Sequence, residues 1–246
     1  RLRIATTAGW WSDASNEVHV LDLKLKEVGA ATGIAPGESI YSCRFMGDRL
    51  YLVTFLQIDP LFIVDLSSDT PRVLGELKVP GASNYLQMVE GGLMGIGFEN
   101  GSVKVSLFDV NDPENMRQID TFVVEGFSYS PAQYDHRAVL YIHDRNMLVI
   151  PVTYYSAGYW NDTMGYYLPS SAALVLQLGS DIREVGRIVH ENATVDRSLF
   201  IGDVLYTISD TTIRASSLAA LEDLGSLTYS GGRHDRYGYD AISVVA

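Results

Sequence analysis

The chain has 246 residues, 47% hydrophobic and 20% charged, and carries a formal charge of −12. That suffices for one large core, but the acidity repels phosphate backbones, so nucleic acid is not an expected partner. With no apolar run near the roughly 18 residues a span requires, no transmembrane segment is predicted, and the single cysteine, Cys43, excludes an internal disulfide or a Cys-based zinc site.

In chain order the sequence reads as short strands rich in Val, Ile, Leu, Tyr and Phe, bounded by Gly, Asp, Asn or Pro. "RLRIATT" from Arg1 is followed by "NEVHVLDLK" and "LKEVGAATG". A fuller unit then begins at Ser39: "SIYSCRFMGD", "RLYLVTFLQ", "PLFIVDLSS" and "PRVLGELKVPG". The third reads "SNYLQMVEGG", "LMGIGFENG", "VKVSLFDVND" and "MRQIDTFVVEG". "AQYDHRAVLYIHDRN", "MLVIPVTYY", "AALVLQLGSD" and "IREVGRIVHE" form the fourth, and "VDRSLFIGD", "VLYTISDT", "TIRASSLAA" and "EDLGSLTYS" the fifth. Turns at residues 48, 91, 145 and 203 fall 43, 54 and 58 apart. Four-stranded propeller blades repeat at about 40 to 50 residues, so the longer steps require insertions.

This pattern predicts an all-β fold, a single β-propeller domain of about five four-stranded blades. The blades cover 1–35 plus 237–246, 38–81, 83–126, 132–191 and 194–230. The first unit lacks an inner strand, and "YGYDAISVVA" at 237–246 is predicted to supply it, closing the ring and removing exposed sheet edges. The alternative is a fragment of a larger propeller. No charged-then-apolar leader opens the chain, and a start on Arg rather than Met indicates a processed or trimmed chain. Phe45, Leu52, Phe62, Val64, Phe108, Val149, Leu174, Phe200 and Leu205 are predicted core residues between blades.

The stretches "APGESIYSCRFMGDRLYLVTF", "DPLFIVDLS", "LGELKVPG", "YDHRAVLY" and "SLFIGDVLYTIS" carry a resemblance. The chain resembles secreted archaeal and bacterial proteins with a C-terminal β-propeller distantly related to WD40 repeats. The likeness covers most of the chain and implies the fold and a secreted or cell-surface, extracytoplasmic location. It implies no catalytic residues. Such proteins are usually longer on the N-terminal side.

Zinc-protease, P-loop and nucleophile-elbow motifs are absent. "YDHRAVLYIHD" holds Asp135, His136, His143 and Asp144; Asp135 and His136 read as a polar network between blades rather than a metal cluster. In "DVNDPENM", Asp109, Asn111, Asp112 and Glu114 place oxygen atoms as a Ca²⁺ loop does, without its central Gly and distal Glu. A recurring hairpin turn accounts for the same residues, and no cofactor is expected otherwise. The long insertion "TYYSAGYWNDTMGYYLPSS" stands where a connection of about two to five residues belongs. Its Tyr155, Tyr159, Trp160, Tyr166 and Tyr167 are the candidate ligand-binding residues, because Tyr and Trp give broad contact area with a polar tip. The functional expectation is a non-catalytic binding or scaffold module that uses its face and loops to engage a protein or a glycan at the cell surface. The alternative is a glycan-processing hydrolase with paired carboxylates at the channel mouth.

Overall fold

The computed structural model describes residues 1–55, 59–155, 160–161, 166–167, 170–191 and 193–229. Five antiparallel sheets follow one another along the chain. Blade 1 holds β1 (Leu2–Ala8), β2 (Ser15–Leu21) and β3 (Glu27–Ile34). Blade 2 holds β4 (Ser39–Met46), β5 (Arg49–Phe55), β6 (Asp59–Asp65) and β7 (Arg72–Val79). Blade 3 holds β8 (Ala82–Val89), β9 (Gly92–Glu99), β10 (Ser102–Asp109) and β11 (Arg117–Val123). Blade 4 is built on β14 (Met147–Tyr155), β17 (Ser170–Leu178) and β18 (Ile182–His190). Its first strand is split into β12 (Phe127–Tyr129) and β13 (Leu140–Ile142). Blade 5 holds β19 (Val195–Ile201), β20 (Val204–Ser209), β21 (Thr212–Ser217) and β22 (Asp223–Thr228). A two-stranded ribbon, β15 (Trp160–Asn161) with β16 (Tyr166–Tyr167), lies within the blade 4 insertion. The result is an all-β propeller. Among the described residues, no helix is long and apolar enough to cross a membrane.

Consecutive pairing within each blade fixes two faces. First-to-second and third-to-fourth strand turns lie on one, the hairpin face. Second-to-third turns and the links between blades lie on the other, the crossover face. The repeated Gly-Asp sits on the hairpin face. Gly47 and Gly202 adopt φ of 55° and 58°, at the first central position of a two-residue loop, where a type II′ turn requires φ > 0. The following aspartates staple neighbouring blades: Asp48 pairs with Arg3 at 3.0 Å, and Asp203 pairs with Arg145. Arg3 also donates to the carbonyls of Gly47 (2.6 Å) and Leu66 (2.7 Å).

The core lies between blades. Leu50, Leu52, Phe62 and Val64 meet Val18 and Ile34 of blade 1. On the other face of blade 2, Tyr51, Val53, Leu61 and Ile63 meet Leu93 and Phe108. Blade 3 joins blade 4 through Met94, Ile96, Val105, Leu107, Leu148, Ile150 and Leu174. Blade 4 joins blade 5 through Val149, Val175, Ile188 and Leu205. Gly97 is compelled by close approach, since a Cβ there would lie 1.7 Å from the Ala82 carbonyl oxygen; "GGLMGIG" is a strand tightened against its neighbour.

Seven of the nine predicted core residues are buried, but Phe45 is 37% and Phe200 42% exposed. Both sit near the hairpin end of a first strand, which is an edge of its sheet. Phe45 pairs with Leu50 and so shares its face toward blade 1, which has no first strand among the described residues. Phe200 pairs with Leu205 and faces blade 4, where the opposing first strand is only the three-residue β13. The predicted closing strand, residues 237–246, lies outside the described residues.

Candidate functional site

Blade 4 departs from the other blades at both its inner edge and its crossover end. "GFSYSP" folds into β12, whose register sets Phe127 opposite Tyr155 and Tyr129 opposite Thr153. Ser128, between them, is buried. Its amide donates to the Gly101 carbonyl at 3.2 Å, and its Oγ accepts from the Val103 amide at 2.9 Å. With Ser128 turned inward, alternation turns Phe127 and Tyr129 outward. Phe127 is 64% exposed, and its ring lies 6.0 Å from that of Tyr155 at 54°. Tyr129 and Tyr155 are exposed as well. Beneath them the Arg187 guanidinium covers the Tyr154 ring at 5.0 Å and is fixed by Glu184 at 2.8 and 3.0 Å. The three outer rings make an aromatic ledge on paired strands, at the crossover face.

The ledge abuts the insertion. After Tyr154 pairs with Ser170, the chain forms the β15–β16 ribbon, with Trp160 opposite Tyr167 and Asn161 opposite Tyr166. Of the residues singled out by sequence, Tyr155 is thus part of the ledge. Trp160, Tyr166 and Tyr167 are placed by backbone pairing, and Tyr159 lies outside the described residues. Phe127 and Tyr129 were not singled out; the alternation of aromatic and small residues in "FSY", just before Pro131, is the signal for them.

Between β12 and β13 two short 3₁₀ turns interrupt the inner strand. Ser130 caps the first, accepting from the Ala132 amide at 3.1 Å, and Asp135 caps the second, accepting from the Arg137 amide at 2.9 Å. Gln133 anchors the segment to blade 3, donating to the Gly97 carbonyl at 2.7 Å. The Asp135 carboxylate also takes the Arg137 guanidinium at 2.9 and 3.1 Å. That pairing, with Arg197 of blade 5 adding its charge, holds Asp135 below the usual carboxylate range. His136 is exposed beside it.

The "DVNDPENM" oxygens serve their own turn. Asp109 accepts from the Asn111 side chain at 2.9 Å and pairs with Arg117 at 3.1 Å. Asp112 caps residues 113–115 and takes the Asn115 side chain at 2.8 Å. Hydrogen bonds hold both carboxyls below their ordinary range, the Asn111 amide foremost for Asp109 and the Asn115 side chain for Asp112. Blade 2 repeats the device, with Asp65 accepting from the Ser67 amide at 3.0 Å and from Arg72 at 3.1 Å. Glu114 contributes its backbone amide to the Asp112 cap. Among the described residues, no group of three or more His, Cys, Asp or Glu side chains is placed to hold a metal ion. On the hairpin face, Glu90, Asp109, Arg117, Ile119, Asn146 and Ser180 line a pocket of about 500 Å³ between blades 3 and 4. There Asp109 is held ionised by Asn111 and Arg117, the opposite of what a glycosidase general acid requires.

Comparison with known proteins agrees with this architecture. The family model described as "Beta propeller domain" matches residues 1–221. The uncharacterized protein MJ1554 of Methanocaldococcus jannaschii is 36% identical over 214 residues, covering 85% of this chain and 32% of its own length. An uncharacterized protein of Archaeoglobus fulgidus is 34% identical over 228 residues, covering 92% of this chain and 33% of its own. The chain therefore spans about a third of the length of these relatives.

Proposed function

The chain belongs to the β-propeller domain family, and from that premise we propose that it is a non-catalytic recognition module, working outside the cytoplasm, that engages a cell-surface glycan through its crossover face. The observation that supports this reading is the ledge of Phe127, Tyr129 and Tyr155. Exposed rings held on paired strands offer flat apolar area with little ordering left to lose on binding. A sugar presents the matching surface, a face of C–H groups rimmed by hydroxyls. The Tyr129 and Tyr155 hydroxyls supply polar contacts around such a stack.

The test is binding to an array of neutral and acidic oligosaccharides, compared between the wild type and Phe127→Ala/Tyr129→Ala. A loss of about tenfold or more in affinity, with the thermal midpoint nearly unchanged, is the expected result. Undiminished glycan binding by the double variant, or no binding by the wild type, overturns the assignment.

A further inference from the structure

One leucine recurs near the start of the second strand of every complete blade. Leu50, Leu93, Leu148 and Leu205 are each 0% exposed, and each sits in the core shared with the preceding blade. Leu2 holds that place in blade 1, opposite Leu21 as Leu50 is opposite Val64. Yet Leu2 is 46% exposed. The residue after the third strand repeats the contrast. Leu66, Leu178 and Leu218 donate their amides to the Asp48, Asn146 and Asp203 carbonyls, in the first turn of their own blades, at 2.8, 2.9 and 2.9 Å, and their side chains are buried. Leu23, in the same position of blade 1, is 92% exposed, and blade 1 has no first strand or first turn among the described residues to cover it.

Blade 5 shows the other half of the joint. Tyr206 and Ile208 occupy the positions by which Tyr51 and Val53 of blade 2 meet blade 3. Tyr51 and Val53 are buried, whereas Tyr206 and Ile208 are only half-buried. Among the described residues, the core clusters join blade 1 to 2, 2 to 3, 3 to 4 and 4 to 5, and none joins blade 5 to blade 1. With all four interfaces packed, the two end faces stay open to water.

We propose that these blades are an arc of a larger propeller, and that the outward faces of blades 1 and 5 dock further four-stranded blades of the same polypeptide. Leu2 then packs on the blade before it, and Leu23 closes over a first turn. Tyr206 and Ile208 receive the leucine of the blade that follows. Continuity carries the assignment. In a stacked repeat each unit is completed by its neighbours, and each open end here repeats one half of an interface that occurs four times. The relatives are long enough to supply the rest, since the matched stretch is about a third of their length and a blade takes roughly 40 to 50 residues. This inference is independent of the glycan reading.

Distances between spin labels on the hairpin face test it in the 246-residue chain. Ser180 and Ala219, exposed in the third-to-fourth strand turns of blades 4 and 5, report the spacing of neighbouring blades. Lys24, exposed in the same turn of blade 1, reports with Ala219 the span between the two ends. Each pair is replaced by Cys for labelling in a Cys43→Ser background. In a closed ring of five, with residues 237–246 completing blade 1, the two distances agree. The arc requires the Lys24–Ala219 distance to be longer by at least about 10 Å, the face-to-face spacing of one packed sheet. Equal distances overturn the proposal. A narrow distance in the chain labelled at Ala219 alone also overturns it, by giving the face to a second copy. In the full-length M. jannaschii relative, a further blade is expected on the surface that matches Tyr206 and Ile208. A ring closed there by the matched blades alone, or a domain of another fold on that surface, overturns the arc.

Discussion

Blades 3 and 5 have the same four-stranded order and each a two-residue first turn, but their interiors differ. In blade 3, Leu93, Met94, Ile96, Val103, Val105 and Leu107 are all fully buried, whichever face they point to. In blade 5, Leu205 on the face toward blade 4 is fully buried, whereas Val204, Tyr206 and Ile208 on the other face are only half-buried. Further along that outward face, Ile201 is 67% exposed, and Leu199 and Leu227 are exposed too. The strands of both blades read as apolar runs. Burial in a stacked repeat is thus conferred by the neighbour on each side, and each blade contributes only a surface suited to it.

The largest effect that follows is a contrast between two phenylalanines. Phe108, 1% exposed, packs against blade 2 over the space left by Gly95. Phe108→Ala should cost about 3–5 kcal/mol in urea unfolding. Phe200→Ala removes a ring already half in solvent at the edge of its sheet, so its cost should fall below about 1 kcal/mol. Equal costs would mean that position in the blade, and not the neighbour, governs burial.

The same contrast explains what could be read from sequence. The repeat of "FMGDRLYLV" in "FIGDVLYTI" marks a hairpin by its own turn chemistry, so strands and blades were legible. Phe45 and Phe200 look identical to buried residues because nothing within a strand records what stacks against it. The ledge was legible in part: Tyr155 belonged to a conspicuous aromatic loop, while Phe127 and Tyr129 lay in an ordinary-looking link. Their exposure depends on Ser128 turning inward, and that follows from its bonds to Gly101 and Val103 of the preceding blade. Nor did "YDHR" reveal its capped turn, because Asp135 closes it on Arg137, two residues on.

A smaller effect tests the joint between blades 4 and 5. His190 ends β18, is buried, and shares a 2.8 Å hydrogen bond with Thr207 of blade 5. Its Nδ1 has no hydrogen-bond partner among the described residues. Desolvation, then the Arg214 charge, depresses its pKa below the ordinary histidine value, with Asp210 opposing. As pH falls, the unfolded chain takes up this proton before the folded one. The contribution is therefore complete above about pH 6.5 and shrinks as pH drops toward the folded-state pKa, by at most about 1.4 kcal/mol per unit of depression. Between pH 7.5 and 5.5 the thermal midpoint should fall by a few degrees, and His190→Gln should flatten that slope. Asp109 and Asp112, held low, contribute only at more acidic pH. An unchanged slope in His190→Gln would assign the pH dependence elsewhere.

The smallest effect comes from the outward face of blade 5. Register places Leu227 opposite Ile213, Ile213 opposite Ile208, and Ile201 opposite Val204, so these side chains share one side of the sheet. Among the described residues that side is an apolar surface open to water, of the kind that promotes association. Ile201→Lys with Leu227→Lys adds two charges where solvent already reaches. The lysine stems can lie along the remaining apolar surface while their ammonium groups stay hydrated. Stability should therefore change by no more than about 0.5 kcal/mol per site, while hydrophobic-dye binding and self-association in sedimentation should both fall. A drop of several degrees in the thermal midpoint would show instead that the face is covered in solution. Blade 5 would then be an interior blade like blade 3.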